Sequence, residues 1–288
     1  MFIHLYIDGL IYIYWFYNIN RNVESYDKIT FKLGGTSSRI FGKSGYNIKI
    51  RGKKDLHGRT QIKIRPDARE ATFLRTKLAS DIHHRLGLPT ISANYVTLYI
   101  NDEYMGFYIL EDAIKKSWIE YEYGDEKTTS LYECKSTGND LSVKVSGRKC
   151  TNENDEVTDN SELIELLTVF DNATTVEEIE EVFDVELFLT EMAYEFLAGS
   201  WDHFLIYGHN YYLYKPKNDK WKYLITDFDG DFGQDISLGI TGMVSDANTD
   251  SLRKYRLSKL YLWKMGLLTT SYYWCFNFQG FYSFWQYS

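Results

Sequence analysis

The clearest alternation of apolar and polar residues lies in GYNIKIRG, residues 45–52. On an extended chain Tyr46, Ile48 and Ile50 share one face, and Asn47, Lys49 and Arg51 the other. RTQIKIR at 59–65 repeats the pattern and puts Lys63 on its polar face. Upstream, ITFKLGGTSSRIF (29–41) reads as a strand, a Gly-Gly turn and a run of small hydroxyl residues. Over 69–86 the period becomes helical. Phe73, Leu74, Leu78, Ile82 and Leu86 form an apolar stripe, and Gly87 and Pro89 end it. NYVTLYI (94–100) and GFYILED (106–112) flank an Asn-Asp-Glu-Tyr turn, which predicts a hairpin.

KKSWIEYEYG (115–124) reads as a short helix stopped by Gly124. Residues 124–160 are polar and loop-rich, with a small hairpin expected at 141–149. Three helices follow. The first starts near Ser161 and carries Leu163, Leu166, Leu167 and Phe170; Thr175-x-x-Glu178 is a capping box for the second; the third spans 184–198. Two further extended stretches, 210–214 and 221–226, are separated by Pro-Lys-Asn-Asp. Residues equidistant from a turn pair across it, so Asn210 is expected opposite 225–227. Segregated strands and helices argue for an α+β fold.

The two ends break the pattern. Residues 1–20 are apolar and aromatic but lack the basic start and small-residue cleavage site of a signal peptide. Asp8 interrupts the run, which is short for a membrane-spanning helix. A degraded leader, a buried strand pair and a mis-called gene start are all open readings. Residues 271–288 are aromatic at most positions and carry no charge. We read both ends as gene-model artefacts, leave 1–25 and 251–288 unassigned, and expect ordered protein to begin near Tyr26.

A net charge of −8 on 288 residues makes nucleic acid and anionic lipid poor partners, and no stable membrane span is expected. Lys and Arg cluster at 43–77, which keeps phosphate binding open. The three Cys form no C-x-x-C pattern; a Cys134–Cys150 bridge follows if the chain is exported, and free thiols are the alternative.

Candidate chemistry gathers at the end of the second hairpin. Asp227 and Asp229 point to one face of an extended chain, and Asn210 lies at the same end of the ribbon. Two carboxylates and an amide oxygen suit Mg²⁺, which completes its shell with water and phosphate. A solvated acidic turn is the plain alternative. Clustered carboxylates also serve two-metal hydrolysis, but His203 and His209 are the sole imidazoles within reach of them in the sequence.

Four segments together resemble the CotH family, the spore-coat protein H kinases. They are TSSRIFGKSGYNIKIRG, FLRTKLASDIHHRLGLP, YVTLYINDEYMGFYILED and GHNYYLYKPKNDKWKYLITDFDGDFG, in the family's order over about 30–240. The resemblance, to a fungal-type member, implies a two-lobed atypical protein-kinase-like fold at 26–250. A sheet-rich lobe would span about 26–112 and a mainly helical lobe about 113–250. It implies transfer of the γ-phosphoryl group of ATP, with Mg²⁺ or Mn²⁺, to Ser or Thr of secreted, coat or surface proteins. The alternative is a non-catalytic, invasin-like surface or coat protein that binds a host receptor or other partner with the same fold. Either way the chain belongs in a secreted, cell-surface or spore-coat setting. Residue by residue, Ser37 and Ser38 would face phosphate, and Lys43 or Lys49 would neutralise it. Glu111 would lie near adenine where the lobes join, Asp202 would orient or deprotonate the acceptor hydroxyl, and Asn210, Asp227 and Asp229 would hold metal. The chain departs from protein kinases in lacking G-x-G-x-x-G, V-A-I-K and H-R-D. Lys63 also fits the lysine role, Glu70 is a candidate partner for it, and the literal Asp-Phe-Gly at 231–233 is read as coincidental.

Overall fold

The computed structural model describes residues 2–5, 11–17, 20–35 and 42–235. Among these the chain forms a mixed α+β fold with two sheets and six helices. The first sheet contains β1 (Phe2–Leu5), β2 (Ile11–Tyr17), β3 (Asn20–Tyr26), β4 (Ile29–Leu33), β5 (Tyr46–Ile50), β6 (Gln61–Arg65), β7 (Ala93–Ile100) and β8 (Glu103–Asp112). Their order is β3-β2-β1-β7-β8-β6-β5-β4, and every pair is antiparallel except β1 with β7. The apolar N-terminal stretch therefore supplies strands to this sheet, and ordered structure begins well before Tyr26. The 251–288 tail lies outside the described residues.

The alternation read at 45–65 decides which face is buried. Ile48, Ile50, Ile62 and Ile64 pack with Val96, Leu98 and Tyr108 into one core. On the opposite face the register sets Lys49 across from Gln61, Asn47 from Lys63, and Lys63 from Glu111. The β7–β8 turn places Asn101 and Asp102 in the left-handed region, φ 49° and 63°. That is the mirror-image turn whose twist suits a two-residue hairpin, and Asn and Asp tolerate it.

Helix α1 spans Arg75–Leu86, shorter than the 69–86 pattern suggests. Phe73 has φ 58°, and the Glu70 carboxylate accepts from the Thr72 and Arg75 N–H groups, so a side-chain-held turn replaces the first helical turns. The buried face is also not the leucine stripe. Thr76, Ala79, Ser80 and His83 are buried, whereas Leu74, Leu78 and Leu86 are about half exposed.

Helix α2 (Lys116–Tyr123) ends on Gly124 at φ 65°. The hairpin expected at 141–149 is instead a turn and a short helix, α3 (Ser146–Lys149). The Ser146 hydroxyl accepts from the Asp140 and Leu141 N–H groups, and Asp140 accepts from Ser142; these local bonds replace a strand ladder. Helices α4 (Ser161–Asn172), α5 (Val176–Glu180) and α6 (Val185–Leu197) follow, and the Thr175–Glu178 capping box opens α5.

The second sheet consists of β9 (Leu131–Cys134), β10 (Thr151–Asn152), β11 (Tyr211–Tyr214) and β12 (Lys222–Ile225) in the order β10-β9-β11-β12, antiparallel throughout. Its side chains join α2, α4 and α6 in the larger core, where Trp118, Leu163, Tyr211, Tyr223 and Leu224 are almost fully buried. A disulfide joins Cys134 at the end of β9 to Cys150 after α3. No helix among the described residues is long and apolar enough to cross a membrane.

Candidate active site

The β11–β12 ribbon carries the acidic residues. Tyr211 pairs with Ile225, and the Thr226 N–H donates to the Asn210 carbonyl at 3.2 Å, so Asn210 and Asp227 leave the ladder at the same end. Both adopt left-handed backbone, φ 54° and 73°. Such conformations in non-glycine residues cost about 1 kcal/mol or more and concentrate at functional sites. A short 3-10 turn, Phe228–Gly230, then brings Asp229 round. A Cβ built on Gly230 would lie 3.4 Å from Asp202 Cβ, so this turn packs directly on Asp202. The Asp202 carboxylate accepts from Asn210 Nδ2 at 3.2 Å and lies 3.0 Å from His209 Nδ1.

The polar face of the first sheet meets this ribbon. Arg65 Nη2 donates to Asp227 Oδ2 at 3.0 Å, and its Nε lies 3.5 Å from Glu111 Oε2. Arg69, in the turn before α1, divides its two terminal nitrogens between Asp229 at 2.8 Å and Asp235 at 2.6 Å. Asp227 is 28% and Asp229 42% exposed, so each lies beside a cation yet remains reachable from solvent.

Charge is unevenly settled here. Burial opposes ionisation of Asp227, but Arg65 and then Lys63 override it and hold its carboxyl low. Burial and the neighbouring Asp227 charge push Asp229 up, against Arg69 and Arg65. Glu111 is pushed up to about 7 by burial, with Arg65 and Lys63 pulling the other way. Lys63 is lowered by burial first and by Arg65 second. An ammonium destabilised in this way gains from an added anion.

The residues picked from sequence are placed as follows. Asp202, Asn210, Asp227 and Asp229 come together, and Glu111 joins them through Arg65. Lys49 is on β5, on the face and within the strand set that carry Lys63 and Glu111. Lys43 is engaged elsewhere. Its ammonium donates to the Phe107 and Pro66 carbonyls and lies 4.2 Å from the Tyr108 ring centre, which joins it to β8 rather than to Asp227 or Asp229. Ser37 and Ser38 lie outside the described residues. Glu70 is bonded to Thr72 and Arg75 in its own turn rather than to a lysine. Asp231 of the literal Asp-Phe-Gly is fully buried and accepts the Tyr194 hydroxyl at 2.5 Å.

Arg65 and Arg69 were not singled out in the sequence, and His209 was named there only with His203 as an imidazole near the carboxylates, not as a partner of Asp202. Arg65 follows Lys63 by two residues and so shares its face, a signal present in the alternation itself. Arg69 and His209 sit in turns, where no period marks them.

Among the described residues, no group of three or more His, Cys, Asp and Glu side chains is arranged to hold a metal unaided. The oxygen donors present nonetheless fit a magnesium-type ion. Asp227 and Asp229 are close enough for one charge to disfavour the other, and guanidinium cations already stand against both. An ion of that type needs one or two carboxylates and draws its other ligands from water and phosphate.

The family described as CotH kinase protein matches residues 31–271. Invasin CotH3 of Rhizopus delemar is 27% identical over 75% of this chain and 39% of its own length. Spore coat protein homolog 1 of the same organism is 32% identical over 63% of this chain and 32% of its own length. Inner spore coat protein H of Bacillus subtilis is 21% identical over 70% of this chain and 58% of its own length. The chain thus spans well under half the length of the Rhizopus relatives. With a match extending over most of its residues, the chain belongs to the CotH kinase family, a family of atypical kinases.

Proposed function

We propose that this chain transfers the γ-phosphoryl group of ATP to Ser or Thr hydroxyls of secreted, coat or surface proteins. The carrying observation is the meeting of Asp202, Asn210 and Asp227, at the open end of the β11–β12 ribbon, with Arg65, Lys63 and Glu111 of the first sheet. In this reading the two sheets mark two kinase-like lobes, and the nucleotide lies between them. Asn210, Asp227 and Asp229 hold a divalent ion, Mg²⁺ or Mn²⁺. When bound, that ion offsets the charge of the phosphate oxygens.

The chain's own residues do the rest. Lys63, with Lys49 beside it on the same face, faces the phosphates, whose charge offsets the burial that disfavours the Lys63 ammonium. Asp202, oriented by Asn210 and His209, accepts a hydrogen bond from the acceptor hydroxyl and takes its proton as the new P–O bond forms and the bond from the γ-phosphorus to the bridging oxygen breaks, that oxygen leaving with ADP. Glu111 is the penultimate residue of β8, just before the chain leaves the first sheet for α2. Phosphoryl transfer requires mainly such positioning and charge compensation.

The disulfide supports a setting outside the reducing cytosol, as do relatives named for spore coats. Relatives named invasins and an exposed aromatic surface support a second reading, a partner-binding surface protein. Tyr104 is 61% and Phe107 39% exposed, and Tyr95 stacks on Phe107.

Titration calorimetry with ATP and Mg²⁺, beside a thermal melt, separates the two readings. The kinase reading expects binding heat and a raised melting temperature, both lost in Asp227→Ala. No heat and no shift with well-folded protein favours the binder.

A further inference from the structure

Arg65 and Arg69 each sit on a different residue of the carboxylate pair. Arg65 makes one hydrogen bond to Asp227, while its Nε approach to Glu111 at 3.5 Å is an ion pair without a hydrogen bond. Arg69 bridges Asp229 and Asp235. Both side chains are partly open to solvent, 18% and 26% exposed, although Arg65 Nε itself is buried. A planar guanidinium matches phosphate as well as it matches carboxylate. Arg65 also shares the β6 face with Lys63, the face that meets Glu111 and Asp227.

We propose that Arg65 and Arg69 are exchangeable counter-ions, which neutralise Asp227 and Asp229 while the site holds no nucleotide and pass to phosphate oxygens when a metal–nucleotide takes the carboxylates. This rests on the nucleotide reading above and adds to it a built-in barrier against metal alone. A divalent ion arriving by itself takes one of two carboxylate partners from each guanidinium, leaving Arg65 with Glu111 and Arg69 with Asp235. An ion arriving with a polyphosphate replaces the partner that is lost. Metal and nucleotide therefore favour each other's binding through the arginines, beyond their direct attraction.

The test uses the full chain and three proteins: wild type, Arg69→Gln and Arg69→Lys. Free Mn²⁺ is followed by electron paramagnetic resonance as each protein is titrated without nucleotide, and ATP with Mn²⁺ is titrated by calorimetry. Removing the competing charge in Arg69→Gln is expected to tighten Mn²⁺ alone by about two- to fivefold, the range of a partly exposed ion pair, and to weaken nucleotide binding by a similar factor. Arg69→Lys keeps the charge but not the fork, so Mn²⁺ alone stays near wild type while nucleotide weakens. A merely structural arginine would move both affinities downward together.

Unchanged or weaker Mn²⁺ binding in Arg69→Gln overturns the proposal, and so does tighter Mn²⁺ with unaltered nucleotide affinity. If wild type binds neither Mn²⁺ nor ATP, the functional reading itself falls, and this inference with it.

Discussion

Asn210 holds Asp202 by one amide nitrogen, which donates to the Asp202 backbone oxygen at 3.0 Å and to its carboxylate at 3.2 Å. That commits Nδ2 to aiming the carboxylate, and the amide oxygen is the atom proposed to hold the metal. Asn210→Ala is expected to lower phosphoryl transfer by about a hundredfold or more, the range for losing one preorganised group. Asn210→Asp restores an oxygen but sets two carboxylates against each other, so it should not rescue. Steady-state rates of both variants check this, and full activity in Asn210→Ala removes Asn210 from the site.

The lysines are expected to separate by role. Lys63 faces Glu111 across the ladder and feels the Asp227 charge, so Lys63→Ala should weaken ATP by about tenfold or more. Lys43→Ala removes contacts to the Phe107 and Pro66 carbonyls, so it should lower the melting temperature and leave ATP affinity near wild type. Lys49→Ala should fall between the two in ATP affinity. Calorimetric titration of the three variants decides the order, and a Lys43 variant alone deficient in ATP binding would reverse it.

Burial pushes the Glu195 carboxyl up to about 7, from an ordinary 4.5. Between those values the folded chain keeps a proton that the unfolded chain releases, so stability falls as pH rises from about 4.5 to about 7. The cost at neutral pH is of the order of 3 kcal/mol. Glu111 contributes with the same sign over the same window. Glu195→Gln, which stays beside the Leu205 N–H and the Tyr223 hydroxyl, should flatten much of that slope in denaturant midpoints measured across the window. An unaltered slope contradicts the assignment.

The Cys134–Cys150 disulfide closes a loop of sequence separation 16, and Cys134 pairs across the ladder with Tyr211, next to Asn210. Reduction is expected to cost about 3 kcal/mol of stability. Chemical denaturation with and without reductant measures it. Because β9 flanks the ribbon that carries the site, activity should fall together with stability rather than before it.

What the sequence showed depended on whether a residue's partner lay on a regular element. Strand alternation at 45–65 and the hairpin at 210–226 placed the polar face, Asn210 and Asp227, because burial follows a period of two and pairing follows distance from the turn. Helix α1 misled for a physical reason. Its leucines read as the inward stripe, yet the inward face carries Ser80 bonded to Ile91 and His83 bonded to Glu191, and partners from other elements leave no periodic mark. Arg69 escaped for the same reason, since its partners Asp229 and Asp235 come from the far end of the described chain. The apolar N-terminal run looked foreign to a domain because its parallel neighbour, β7, is far away in sequence.

The most direct test of the nucleotide site is transfer of label from γ-labelled ATP to a generic protein acceptor or to the chain itself, with and without divalent metal, in wild type and Asp227→Ala. The account expects metal-dependent labelling of Ser or Thr by wild type and its loss in the variant. Labelling that persists undiminished in Asp227→Ala, or none at all from folded wild type with Mg²⁺ and Mn²⁺ both supplied, would contradict it.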